Sequence, residues 1–136
     1  MVGEIMKVKF NKLIPELSVS DINKSKDFYL SLGFSVVYER IDDKFCFLEL
    51  DGNQIMIEEV NENWNVGELE YPFGRGINIS MEVADIDKLY GFVKEKQYPF
   101  FRDMQIDSYQ VGDRVYYDKQ FLIQDLDGYL LRFISE

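Results

Sequence analysis

Two stretches of this chain say nearly the same thing sixty-four positions apart. "LSVSDINKSKDFYLSLGF" (17–34) is answered by "MEVADIDKLYGFVKEKQY" (81–98), with Val19/Val83, Asp21/Asp85, Ile22/Ile86, Lys24/Lys88 and Phe28/Phe92 in register. A repeat on this scale restricts the fold to one unit used twice. Leu17 and Val19 alternate with polar Ser18 and Ser20, the period of a half-buried strand. Asp21 then offers a side-chain acceptor to the free amides of a helix start. Ile22, Phe28, Tyr29 and Leu32 share a helical face, and Gly33 supplies a left-handed C-terminal cap. In the second copy Asp85 caps, and Ile86, Leu89, Tyr90 and Val93 form the apolar stripe. Lys94 and Lys96 sit at the negative helix end.

Further strands follow each helix. "FSVVYERIDDKFCFLELDGNQIMIEEV" reads as three strands with turns at "DD" and "DGN". The second half reads as a less regular strand near "YPFFRDM", then "KQFLIQD", a turn at "LDG", and "YLLRFIS". The order is β-α-β-β-β, twice, an α+β fold. The half-modules span about 13–60 and 76–134, joined by an inter-half loop at about 61–75. Two such modules, each a curved mixed sheet under one helix, are expected to form a single cup-shaped domain. Parity places Leu17 and Val19 against the first helix, with Ile14, Glu16 and Ser18 facing the other way. Likewise Ile77, Ile79, Met81 and Val83 are expected under the second helix, leaving Asn78, Ser80 and Glu82 toward the cavity. Gln54, Met56 and Glu58 share one side of their strand.

Composition narrows the function. The chain has 136 residues, an apolar fraction of 46% and a net charge of −10. That is enough to bury a core, and the charge argues against nucleic acid, which needs clustered Lys and Arg. It suits either a solvated acidic surface or a cationic ligand. No apolar run reaches the length of a bilayer span. "MVGEIMKVKF" lacks the apolar core of a secretory signal. The lone Cys46 cannot form an internal disulfide, so a reducing cytoplasm is expected. Its flanks, "KFCFLEL", read as a buried strand. There is no histidine, hence no usual neutral-pH base, thiol activator or favoured metal ligand.

From about Leu13 to Phe133 the sequence resembles the vicinal oxygen chelate superfamily, in its glyoxalase and bleomycin-resistance branch. The segments that carry the likeness are "PELSVSDINKSKDFYLSLGF", "LELDGNQIMIEE", "NISMEVADID" and "QFLIQDLDGYLLRF". Enzymes of that superfamily hold a divalent metal with four residues, two from each half. The resemblance implies that these positions here are Ile14, Met56 (or Glu58), Asn78 and Arg132. Aliphatic and guanidinium groups cannot donate to a metal. No metal and no cofactor are expected, and with the ion go the lyase, epimerase and dioxygenase readings that depend on it.

The departure fits the bleomycin-resistance type, whose members keep the fold and act by binding. The resemblance also implies a homodimer in which the N-terminal arm is exchanged near Pro15. The cup is expected to carry Glu16, Glu58 and Glu82, opposed only by Arg132. They form either a cation-attracting groove or a structural ion network. Trp64, Tyr71 and Phe73 in the inter-half loop, and Tyr109, Tyr116 and Tyr117 in a second irregular segment, are placed either to stack on a ligand or to pack as a lid. The candidate ligand-binding residues are therefore Glu16, Met56, Glu58, Trp64, Asn78, Glu82, Tyr109 and Arg132, with no catalytic residue assigned. The reading is a small-molecule binder, with bleomycin as one ligand. The alternatives are an enzyme of the superfamily and an enzyme using a cup carboxylate as base.

Overall fold

The computed structural model describes residues 8–135, and the "MVGEIMK" part of the N-terminal reading lies outside the described residues. The fold is α+β, in two compact units that divide between Glu70 and Tyr71. The first contains β1 (Glu16–Val19), α1 (Ile22–Ser31), β2 (Ser35–Arg40), β3 (Phe45–Leu50) and β4 (Asn53–Glu59). Its sheet runs β1-β4-β3-β2, with β1 parallel to β4 and the other neighbours antiparallel. The second contains β5 (Asn78–Val83), α2 (Ile86–Glu95), β6 (Arg102–Val111), β7 (Arg114–Gln124) and β8 (Leu130–Ser135). Its sheet repeats the pattern as β5-β8-β7-β6. The β-α-β-β-β order read from the sequence is therefore present twice. No helix among the described residues is long and apolar enough to cross a membrane.

The two helices begin and end by the same devices. Asp21 is extended, and its carboxylate accepts from the amides of Asn23 and Lys24 at 3.0 and 3.1 Å. Glu59, arriving from β4, takes the amide of Ile22 at 3.1 Å. Asp85 does the first job for α2 through Lys88. At the far ends, Gly33 and Phe34 donate back to Leu30 and Tyr29, and Gln97 and Tyr98 donate back to Lys94 and Val93. Both closures place one residue in the left-handed region: Gly33 at φ 106° and Gln97 at φ 56°. A side chain there costs energy that glycine avoids. Gln97→Gly is therefore expected to stabilise the second unit by about 0.5–1 kcal/mol, read as a raised midpoint in urea.

Each helix buries the expected face. In the first unit Phe28, Tyr29 and Leu32 pack over Leu17, Val19, Leu48, Ile55 and Ile57, and Ser25 is buried beside them. Cys46 is fully buried in the same layer, and burial pushes its thiol up to about 11, so it is an inert core group. In the second unit Ile86, Leu89 and Val93 meet Met81, Val83, Phe121, Ile123, Leu131 and Phe133.

Two expectations are corrected. Ile77 does not lie under α2; it precedes β5, just after the Gly76 turn, and is 64% exposed. Tyr109, Tyr116 and Tyr117 do not sit in an irregular segment. They lie on a regular hairpin of β6 and β7, closed by the two-residue turn Gly112–Asp113 between the paired residues Val111 and Arg114. A Gly-Asp pair between β-favouring runs is a hairpin signal in its own right.

Candidate functional site

The open face of the first sheet, opposite α1, is organised in cross-strand rows. One row runs Arg40, Phe45, Glu58, Ser18 across β2, β3, β4 and β1. The next runs Tyr38, Phe47, Met56, Glu16. Neighbours along such rows stand within side-chain reach. Tyr38 stacks on Phe47 with centroids 5.4 Å apart and lies 5.7 Å from Phe45. Phe10 closes on Phe47 edge-first at 5.3 Å. The stretch bearing Phe10 is tied down by buried Gln54, which donates to the Lys9 carbonyl at 2.8 Å and accepts from the Asn11 amide at 2.7 Å. The Pro15 carbonyl starts the β1–β4 ladder by accepting from Met56.

Polar groups border these rings. Glu58 accepts from the Trp64 indole N–H at 3.1 Å and from the Asn61 amide at 2.9 Å through the same Oε2. Ser18 donates to Asn65 at 3.0 Å. The loop carrying Trp64 is thereby held to the edge where β1 and β4 meet, with the indole still 41% exposed. Glu16 is half-buried, and burial raises its pKa; Glu58 raises it further, while Arg40 lowers it. A raised folded-state value means that the carboxylate form weakens the fold. That cost is absent below the ordinary carboxylate value near 4.5, grows as pH climbs toward the raised value, and is full above it. Glu16→Gln is therefore expected to raise the melting temperature at pH 7 but not near pH 3.5, where wild type and variant should melt together.

The second sheet carries the remaining candidates. Asn78, Ser80 and Glu82 stand exposed along β5. Arg132 on β8 faces Ser80 on one side and Leu122 on the other. Its Nε is buried without a hydrogen-bond partner among the described residues. Tyr109 stacks on Tyr116 across the hairpin at 5.6 Å, with both rings partly exposed. Two residue pairs further in, Asp107 accepts from Gln105 and Gln120 at 3.0 and 2.7 Å, directly across from Asp118. Phe73, an expected loop aromatic, is packed edge-on against Tyr129 at 5.9 Å, a structural role.

Glu16, Met56, Glu58 and Trp64 are thus gathered on one face of the first unit, and Asn78, Glu82, Arg132 and Tyr109 belong to the second sheet. One expectation about charge is corrected. Arg132 is not the sole cation set against the carboxylates, because Arg40 acts on Glu16. The rings Phe10, Tyr38, Phe45 and Phe47, with Asn61, are members of the first face that the candidate set omits. The signal for Tyr38, Phe45 and Phe47 lies in "YERIDDKFCF": pairing across the Asp42–Asp43 turn sets Arg40 against Phe45 and Tyr38 against Phe47.

The model of the Glyoxalase/Bleomycin resistance protein/Dioxygenase superfamily matches residues 9–133. The chain belongs to this superfamily. A glyoxalase/bleomycin resistance protein/dioxygenase superfamily member from Vibrio splendidus 12B01 is 38% identical, over 89% of this chain and 95% of that one, with a TM-score of 0.43. TioX from Micromonospora sp. ML1 is 17% identical over 93% of this chain and 98% of its own, with a TM-score of 0.71. A glyoxalase/bleomycin resistance protein/dioxygenase from Alicyclobacillus acidocaldarius is 21% identical over 96% and 94%, with a TM-score of 0.64. The last two share the fold. No curated protein matches the chain.

The superfamily's metal positions can be tested against the side chains that occupy them. Ile14 and Met56 belong to the first unit, Asn78 and Arg132 to the second. An alkyl chain and a guanidinium give no donor, a thioether suits only soft ions, and Asn78 is one neutral carbonyl. Glu58, the alternative to Met56, already accepts from Trp64 and Asn61. No group of three or more His, Cys, Asp or Glu is placed to hold a metal ion among the described residues. The donor set does not fit the metal of the superfamily's enzymes.

Proposed function

We propose that this chain is a metal-free small-molecule-binding member of the superfamily, of the bleomycin-resistance type, that sequesters a cationic, partly aromatic ligand. The observation that carries the reading is the open face of the first sheet, where Glu16 and Glu58 share ladder rows with Tyr38, Phe45 and Phe47. Phe45 and Phe47 are buried beneath half-buried Tyr38 and exposed Arg40, so a planar group reaches the cluster where these two cover it, and the carboxylates favour positive charge there in a partly desolvated setting. On the second unit, considered by itself, the Tyr109–Tyr116 stack with Asn78, Glu82 and Arg132 is a separate candidate surface for ligand contact. The active form is a homodimer with N-terminal arm exchange near Pro15, and sedimentation velocity is expected to return twice the chain mass; a monomer at every concentration sinks that part. The buried thiol of Cys46 fits a reducing, cytoplasmic setting.

Trp64 is the chain's one tryptophan and reports directly on Glu58. Titration with bleomycin is expected to quench its fluorescence saturably at micromolar concentration, and Glu58→Gln to weaken the binding at least about tenfold, as loss of a desolvated charge partner does. Absence of quenching removes bleomycin as the ligand. A second reading, catalysis with Glu16 as general base, is favoured by that group's raised pKa. It requires that Glu16→Gln keep ligand binding and lose turnover.

A further inference from the structure

Among the described residues, three cations of the first unit are paired with carboxylates: Lys26 with Glu39 at 2.9 Å, Lys44 with Glu59 at 3.1 Å and Arg40 with Asp43 at 3.1 Å. Arg40 differs in where its charge rests. Its guanidinium carbon lies 3.9 Å from the centroid of the Phe45 ring and 5.9 Å from that of Tyr38. Phe45 is otherwise sealed, at 3% exposure. The groups that hold Arg40 there are weak. Its ion pair with Asp43 has both side chains about half exposed, at 49% and 61%, and such pairs contribute at most about 1 kcal/mol. Its Nη1 reaches the Tyr38 hydroxyl only at 3.5 Å. Beside this seat opens a cleft of about 480 Å³ lined by the carboxylates of Asp42, Asp43, Glu58 and Glu59 against the single cation Lys44.

We propose that Arg40 is a resident stand-in for the ligand's cation: a planar cation of the guanidinium or amidinium class takes the seat over Phe45 and Tyr38 and displaces Arg40 toward the acidic cleft. The inference rests on the ligand-binding reading and narrows it to delocalised, flat cations. A flat guanidinium presents its whole face to a ring, which a compact, strongly hydrated ammonium cannot do. The carboxylates of the row are on hand: Glu58 is the ladder neighbour of Phe45. Burial and Glu58 together hold Glu16's pKa up while Arg40 holds it down. Exchange of one cation for another keeps that balance, whereas departure of Arg40 without replacement upsets it.

The test uses phenylguanidine and its neutral isostere phenylurea, titrated into wild type and Arg40→Ala with Trp64 fluorescence as readout. Removing the internal competitor is expected to tighten phenylguanidinium binding about tenfold, the effect of a seat free roughly one-tenth of the time in wild type. Phenylurea is expected to show no gain. In wild type the Arg40 Nε–Hε NMR resonance, shifted by the Phe45 ring, is expected to move to its solvent position as phenylguanidine saturates. Equal or weaker binding by Arg40→Ala overturns the proposal, and so does an Arg40 resonance that stays in place at saturation. The NMR arm needs no variant and decides the matter if Arg40→Ala does not fold. Bleomycin that quenches both proteins alike, without the phenylguanidine gain, overturns this seat and leaves the binding reading standing.

Discussion

Replacing Gly128 by alanine is expected to lower stability by about 3 kcal/mol and the melting temperature by roughly 10 °C. Gly128 closes the "DLDG" turn before β8 with φ at +98°. A Cβ there would lie 2.5 Å from Pro72 Cβ and 2.6 Å from Pro72 Cα. Backbone cannot swing aside as a flexible side-chain tip does, so the Tyr71–Phe73 segment must lift. That segment is anchored by the Phe73 amide on the Asp127 carbonyl at 2.8 Å. About 1–2 kcal/mol comes from the left-handed backbone and the rest from the collision. Gly52, in the equivalent turn of the first unit, has φ +83° and nothing within 4 Å of an added Cβ. Gly52→Ala is thus the control, showing the backbone cost alone in circular-dichroism melts. Equal losses in the two variants would sink the steric account.

The "DLDG" turn, part of one segment that carries the family likeness, is a matter of shape. Asp125 is buried, and its carboxylate accepts from the amides of Asp127 and Tyr129 at 3.0 and 2.9 Å. It folds the turn, and the turn seats the loop.

Legibility in the sequence followed distance along the chain. Strand alternation, the capping aspartates Asp21 and Asp85, and the helix stripes are each written within about ten residues, so the β-α-β-β-β order could be read twice. Glu59 could not be assigned as a second cap of α1, because it reaches Ile22 across 37 positions. The candidate face was half legible for the same reason. Parity put Glu16, Met56 and Glu58 on one side. Their partners Arg40, Phe45 and Phe47 depend on hairpin register, and β2 shifts register between Val36 and Tyr38. A one-residue shift reverses which side chains face out, so counting along β2 alone misplaces Tyr38 and Arg40. Trp64 was recognisable as an indole in a polar loop. That its N–H is bonded to Glu58 is a property of the folded loop.

Phe47 is where stability and binding meet, and two substitutions separate them. The ring is 2% exposed, stacked on Tyr38 and met edge-on by Phe10. Phe47→Ala removes both contacts and leaves a cavity, at an expected cost of about 4 kcal/mol in urea unfolding. Phe47→Leu refills most of that volume and loses mainly the ring–ring geometry, an expected cost of about 1 kcal/mol. The effect of Phe47→Leu on ligand should be large where its effect on stability is small. With leucine beneath them, Tyr38 and Phe10 lose the surface that orients their rings, and the seat next to Phe45 loses its rigid neighbour. Phe47→Leu is therefore expected to remain folded at room temperature yet bind phenylguanidinium about tenfold more weakly, since rigid aromatic anchors dominate small interfaces. A folded Phe47→Leu protein with wild-type affinity would mean that the rings of the first sheet are core and nothing more, and the ligand would then have to be sought on the second sheet, around Arg132 and the Tyr109–Tyr116 stack.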